Sequence, residues 1–204
     1  MKNILIINAH HRVPGISEGA LNAAFADKAK SLLEGRGYAV KTTKSEDEYD
    51  IQEEIEKHLW ADAVLIQSPV YWMGPPWSFK KYMDTVYLAG AGGALCNDDG
   101  RSRSNPKGPK AGYGTGGTQQ GKKYMVSLTF NAPLEAFNDP DEYLFQGKSL
   151  DDLLMPLHMT YRFMGYDEAL PTFAAHDVLK NPTHEQDFID FEAHLDKHFP
   201  LVSA

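Results

Sequence analysis

The chain has 204 residues, ordinary apolar and charged fractions, a formal net charge of −8 and one cysteine, Cys96. That length fits a single domain over residues 1–204 with a full core, and the acidic balance argues against nucleic acid or an anionic membrane as partner, since both need a basic face. One thiol excludes an internal disulfide framework and a multi-thiolate zinc site, and it is compatible with a reducing cytosol. No apolar run approaches spanning length, and the start of the chain reads as neither secretory signal nor anchor, so a cytoplasmic protein without membrane insertion is expected.

Ile4 to Asn8 is an unbroken apolar run of the kind buried on both faces of a parallel sheet. Ala9 to Gly19 reads as a loop, and Ser17 as the cap of a helix whose apolar face is Leu21, Ala24, Phe25, Ala29 and Leu32, ended by Gly35 and Gly37. Tyr38 to Thr42 predicts a second strand, Ile51 to Leu59 an amphipathic helix, and Ala63 to Ile66 a third strand. Gln67 to Trp77, with three prolines and two tryptophans, predicts a rigid loop, because proline lacks the N–H that a helix or central strand uses. Its Tyr71, Trp72, Met73 and Trp77 form either a wall for a flat apolar ligand or an aromatic plug closing the core, and the loop alone favours neither.

Trp77 to Leu88 predicts a helix. Ala89 to Gly121 is a polar, glycine-rich stretch too long for an ordinary connection and therefore functional or flexible. Tyr124 to Phe130 reads as the fourth strand and is followed by the loop Asn131-Ala132-Pro133. A helix over Leu150 to Met164 contains Pro156, which kinks it or marks its start. Leu170 to Ala174 is the fifth strand, and Pro182 to His198 the closing helix, with Pro182 in its first turn.

Five strands alternating with helices predict an α/β fold, a doubly wound five-stranded parallel sheet with helices on both faces. Ligands of such sheets bind beyond the carboxyl ends of the strands, beside the reversal of strand order. Residues 9–19, 67–77 and 129–133 then share one crevice. A helix start near Ser17 suits a phosphate, with His10, Ser17 and Asn22 as side-chain donors, although plain capping also accounts for Ser17. Gly112 to Gly117 satisfies G-x-G-x-x-G but precedes a strand, so it reads as a flexible loop and not a dinucleotide fingerprint. No G-x-S-x-G elbow or H-E-x-x-H pattern occurs, and His194 and His198 at i, i+4 read as a solvated face, so no metal is expected. An aromatic wall, a phosphate-grade helix start and a loop of small residues at one sheet edge match a ring system with a phosphate tail, and flavin leads.

The residues Asn3–Asn8, Leu59–Asp62, Trp72–Trp77, Lys80–Tyr82, Gln120–Met125, Ser127–Pro133 and Leu170–Phe173 together resemble the flavodoxin-like NAD(P)H:quinone oxidoreductases, most closely the bacterial modulator of drug activity B family and more distantly DT-diaphorase. The resemblance implies FAD in preference to FMN, with phosphates and ribose at Ser17, Gly19, Leu21 and Asn22. The ring would lie along Val70, Tyr71, Trp72 and Met73, and Thr129, Phe130, Asn131 and Ala132 would present backbone N–H groups to its polar edge. Tyr113 matches a further flavin contact. It also implies a homodimer that completes the site, and two-electron hydride transfer from NADPH or NADH to a quinone or other small aromatic acceptor. Unlike DT-diaphorase, Phe137 to Gly147 holds Tyr143 and Gln146 but no histidine, so no general acid is named; Tyr143 is the side chain there whose mutation would test a proton-relay role. Arg101, Arg103, Lys107 and Lys110 form a basic cluster open to the 2′-phosphate of NADPH, or simply a solvated loop. Competing functions are a flavin-binding regulatory subunit of a potassium efflux system, a nitro- or azoreductase, and a one-electron carrier.

Overall fold

The computed structural model describes residues 2–202. In chain order the elements are β1 (Asn3–Asn8), α1 (Ala20–Gly35), β2 (Ala39–Lys44), α2 (Ile51–Trp60), β3 (Ala63–Pro69), α3 (Trp77–Tyr82), β4 (Lys123–Thr129), α4 (Leu150–Leu153), α5 (Met155–Phe163), β5 (Glu168–Ala169), β6 (Phe173–Ala175) and α6 (His184–His198). The strands form one parallel sheet in the order β2-β1-β3-β4-β5, with β6 also paired to β4. From β1 the chain first goes outward to β2 and then back across to β3, so the order reverses between β1 and β3. The carboxyl ends of those two strands and of β4 therefore face the crevice expected for this topology.

Side chains of a strand alternate between faces, and β1 feeds two cores. Ile4 and Ile6 pack with Leu65 and Met125 against Phe25 and Leu33 of α1 and Phe191 and Leu195 of α6. Leu5 and Ile7 pack with Val64, Ile66 and Val126 against Phe79 and Tyr82 of α3 and Leu157 and Tyr161 of α5. The apolar face of α1 is shifted from the expected one: Asn22, Phe25, Ala26, Ala29 and Leu33 are buried, whereas Ala24 is exposed. At about 100° per residue, position 24 lies off the line joining 22, 25, 29 and 33.

Several boundaries differ from the sequence expectation. β2 starts after Tyr38, whose ring is buried and whose hydroxyl donates to the Pro200 carbonyl at 2.7 Å. β3 runs on to Pro69, past the expected end at Ile66. Gln67 O accepts from Ala9 N on the β1 side and Val70 N donates to Thr129 O on the β4 side, so the missing N–H of Pro69 falls on the β1 side, beyond the last paired residue of β1. The expected fifth strand over 170–174 is instead two short pieces separated by Leu170-Pro171-Thr172, since proline cannot donate to the ladder. Pro182 lies outside α6, which is preceded by Thr183.

α3 continues into a π-helical turn over Met83–Tyr87, which the sequence did not signal. The 150–164 segment breaks at Leu154, and Pro156 stands in the first turn of α5. Residues 90–121 carry turns and isolated bridges, Ala91 with Cys96 and Cys96 with Gly117, but no named helix or strand. Among the described residues no helix is long and apolar enough to cross a membrane.

Candidate active site

The loop after β1 is a tight antiparallel turn. Val13 and Ser17 exchange backbone hydrogen bonds of 2.9 and 2.8 Å, and Gly15 at the tip adopts φ 74°. This geometry removes Ser17 from the capping position expected for it. The residue preceding α1 is Gly19, at φ 84°, and the helix start carries neither a side-chain cap nor an acidic residue in its first turn. A Cβ on Gly19 would stand 2.4 Å from the His10 ring, so glycine is required on two counts, its left-handed backbone and its contact with the imidazole.

Ser17 turns its hydroxyl toward Tyr71 OH at 2.6 Å and His10 Nε2 at 3.3 Å, and Tyr71 OH also lies 3.0 Å from the His11 carbonyl. The loop after β1 and the loop after β3 are thereby tied together by one phenol. His10 is 2 % exposed, sealed below Gly19. It therefore supports the loop from beneath and is not the direct ligand donor expected of it. Burial is the largest influence on His10 and holds its pKa below the usual imidazole value; Lys44 and His11 push the same way and Glu46 opposes them.

Asn22 also differs from expectation. Its side-chain amide donates to Asn8 Oδ1 at 2.9 Å and Gln67 O at 3.3 Å, and its oxygen accepts from Gln67 Nε2 at 3.0 Å. The side chain is spent on bracing β1 against β3, and only its backbone N–H remains for a ligand. Leu21 packs its side chain toward the core. Among the described residues no protein group accepts from the N–H groups of Glu18, Gly19, Ala20, Leu21 or Asn22. A row of open donors at the positive end of a 16-residue helix has the chemistry that suits an anion.

Beyond β3, Tyr71 and Gly74 pair across a two-residue turn, with bonds of 2.8 and 3.2 Å, while Trp72 and Met73 sit at φ 48° and 69°. Both central residues are left-handed, the geometry of a type I′ turn that favours Asn-Gly, and each bulky residue there costs on the order of 1–3 kcal/mol. Trp72 is 97 % exposed. This indole closes no core within the chain, which speaks against the plug. Val70 joins β4 through its N–H to Thr129 O at 3.0 Å and packs on Phe130, Phe137 and Phe145.

The loop after β4 is strapped from behind by residues 175–179. Phe130 N–H donates to Ala175 O at 2.9 Å, so it is not the open donor expected. Ala132 O accepts from Asp177 N at 3.3 Å and lies 3.1 Å from His176 Nδ1, while Asn131 Oδ1 accepts from Leu179 N at 3.2 Å. The Asn131 and Ala132 N–H groups have no acceptor among the described residues. With Thr129 inside β4 between Pro69 and Ala175, the expected donor row contracts to these two. His176 and Asp177 carry no motif that could have flagged them, since their role depends on β6 pairing with β4.

Tyr113 is not brought to this crevice within one chain. It is 69 % exposed, edges onto Phe163 and lies under the Arg101 guanidinium. Arg101 is further committed to Asp99 through Nε at 2.9 Å and Nη2 at 2.5 Å, leaving Arg103, Lys107 and Lys110 of the basic cluster exposed without an ion pair among the described residues. The Tyr143 side chain is 90 % exposed. Gly112–Gly117 has no strand before it or helix after it. The His194 and His198 rings lie 4.8 Å apart, and among the described residues no three potential metal ligands cluster.

A family model described as the flavodoxin-like fold matches residues 2–199. The NADPH:quinone oxidoreductase MdaB of Haemophilus influenzae is 46 % identical over 197 residues, which is 97 % of this chain and 99 % of that protein. A solved structure titled as a candidate quinone reductase from Klebsiella pneumoniae superposes with a TM-score of 0.75 at 22 % identity, covering 98 % of this chain and 86 % of that one. General stress protein 14 of Treponema denticola, solved in complex with FMN, gives a TM-score of 0.63 at 19 % identity over 97 % and 99 % of the two chains. The two structural likenesses extend to the fold.

Proposed function

The chain belongs to the flavodoxin-like fold family and, within it, to the family of the Haemophilus NADPH:quinone oxidoreductase, and on that premise we propose that it is an FAD-dependent NAD(P)H:quinone oxidoreductase acting as one domain. The observation that carries the reading is the uncapped start of α1, whose open N–H groups lie beside a protruding tryptophan turn and two further open donors. These residues fit a flavin: an anionic tail at 18–22, an apolar ring against Val70, Tyr71, Trp72 and Met73, and a polar ring edge at Asn131 and Ala132. When bound, the flavin supplies hydride chemistry between a nicotinamide and a quinone.

The protein supplies placement and charge. Backbone donors at Glu18–Asn22 anchor the phosphates without a counter-cation, through the helix dipole. Fixed N–H groups of Asn131 and Ala132 stabilise negative charge at the ring edge with little reorganisation, because 175–179 holds the loop. The neutral His10 supports Gly19, Ser17 and Tyr71 without placing a second charge in the site.

A second copy of the chain is the partner. Leu88, Tyr113, Met155 and Met159 are exposed on and around a cleft of about 540 Å³ between α3 and α5, an apolar surface suited to self-association. Dimerisation there is the route by which Tyr113 reaches a flavin. FAD is proposed over FMN from the motif resemblance, and chromatography of the released cofactor decides it. Turnover of NADPH with a naphthoquinone by the purified protein tests the activity; absence of turnover with FAD bound would redirect the reading to a flavin-binding regulatory subunit.

A further inference from the structure

The open N–H groups of Asn131 and Ala132 lie in a loop that the sheet itself does not hold. β4 ends at Thr129, and the last ladder-like bond runs from Phe130 N to Ala175 O at 2.9 Å. Ala132 precedes Pro133, so its carbonyl belongs to a peptide with no N–H, and proline confines Ala132 to extended backbone. The loop is fixed instead through its acceptors. Phe130 O accepts from Val178 N at 3.3 Å, Asn131 Oδ1 from Leu179 N at 3.2 Å and Ala132 O from Asp177 N at 3.3 Å. Any residue but proline supplies such backbone donors.

His176 is where side-chain identity enters. Among the described residues it is the one strap side chain that hydrogen-bonds the loop, its Nδ1 lying 3.1 Å from Ala132 O, whereas the Asp177 carboxylate is engaged within the strap by Asn181 Nδ2 at 2.5 Å. A carbonyl oxygen only accepts, so Nδ1 carries the proton. The imidazole is set edge-on against Phe137, with centroids 5.6 Å apart at 63°, and Phe137 is stacked on Phe145 at 4.3 Å. Asp177 adopts the left-handed φ of 49°, a backbone that aspartate tolerates better than most residues, and its N–H meets the same oxygen. Two donors thus converge on the carbonyl of the residue whose own N–H is open.

We propose that His176 is a positioning residue for the flavin: by fixing Ala132 through Nδ1–H it keeps the Asn131 and Ala132 N–H groups aimed at the polar ring edge, and so sets how much more tightly reduced than oxidised flavin is held. This assignment rests on the flavin reading of the crevice. Negative charge grows at the ring edge on reduction, and donors fixed in advance favour the charged form without reorganisation. A loop released from His176 still offers N–H groups to the neutral ring but must reorder them for the charged one, so the loss falls mainly on the reduced form. Loss of packing alone would weaken both forms alike.

The test measures, in the full chain, the midpoint potential of bound FAD by equilibration with a redox dye and the dissociation constant of oxidised FAD by titration. His176→Ala is expected to weaken reduced FAD at least about fivefold more than oxidised FAD, read as a corresponding fall in midpoint potential. His176→Asn keeps an amide N–H near the place of Nδ1–H and should hold the ratio of the two affinities within about twofold of the parent. An unchanged potential in His176→Ala, an alanine variant that no longer holds oxidised FAD, or an asparagine variant as impaired as alanine overturns the proposal. Whether the parent takes up FAD at all reports separately on the flavin reading, since that result does not depend on either variant.

Discussion

Single residues carry much of the site, and several work at one remove from the ligand. Gly19 is the sharpest case, because its left-handed backbone and the His10 ring 2.4 Å from its would-be Cβ leave no room for a side chain. Gly19→Ala is expected to destabilise the fold by more than about 1 kcal/mol and to weaken FAD binding at least about tenfold, measured by denaturant unfolding and flavin titration. An alanine variant that binds FAD like the parent would show that the α1 start is not where the phosphates sit. Sequence made Gly19 and Ser17 visible as a phosphate-grade helix start but exchanged their parts. Ser17 has the better capping chemistry, yet the Val13–Ser17 turn delivers its hydroxyl to Tyr71, a contact spanning 54 positions that no local preference encodes. His176 was hidden for the same reason, since it meets Ala132 only once β6 lies beside β4.

Among the elements, the Tyr71–Gly74 turn holds the most strained backbone beside the crevice, with tryptophan and methionine where Asn-Gly would be relaxed. The double variant Trp72→Asn, Met73→Gly should raise stability by about 1–3 kcal/mol while lowering flavin affinity, because the strain is retained only if the side chains contact something. A rise in Tm with unchanged flavin affinity would reduce Trp72 to a solvent-exposed ornament of the turn. The buried strands were legible as apolar runs, and the break before Pro156 was legible from proline's missing N–H. Pro69 was misread because its tolerance depends on β1 ending first, a fact of register and not of composition. The split at Pro171 and the π-turn over 83–87 likewise depend on neighbours that the chain meets only when folded.

For the molecule as a whole, a buried polar chain ties α2 to α3 under the sheet. His58 Nε2 lies 3.1 Å from Tyr82 OH, which donates to Glu54 Oε2 at 2.8 Å; Thr43 adds a bond of 2.7 Å. Tyr82 spends its proton on Glu54, so His58 donates from Nε2 and its buried Nδ1 is left bare. Burial, aided by Lys122 and Lys57, pushes the His58 pKa down to about 3. A lowered histidine means the unfolded state binds the proton first, so stability is complete above about pH 6.5 and falls as the pH drops toward about 3. His58→Gln keeps a donor to Tyr82 and should flatten the Tm profile between pH 6.5 and 4, a window bounded above by the ordinary histidine value and below by the onset of carboxylate protonation. Parallel acid limbs in parent and variant would remove His58 from the account. Above all these lies the claim that α1, the Trp72 turn and the 131–132 loop close on one flavin. The most direct measurement is the visible spectrum of the purified protein, before and after addition of FAD. Flavin bands that stay with the protein through gel filtration and are lost in Gly19→Ala are the predicted result; a colourless protein that takes up no FAD would contradict it.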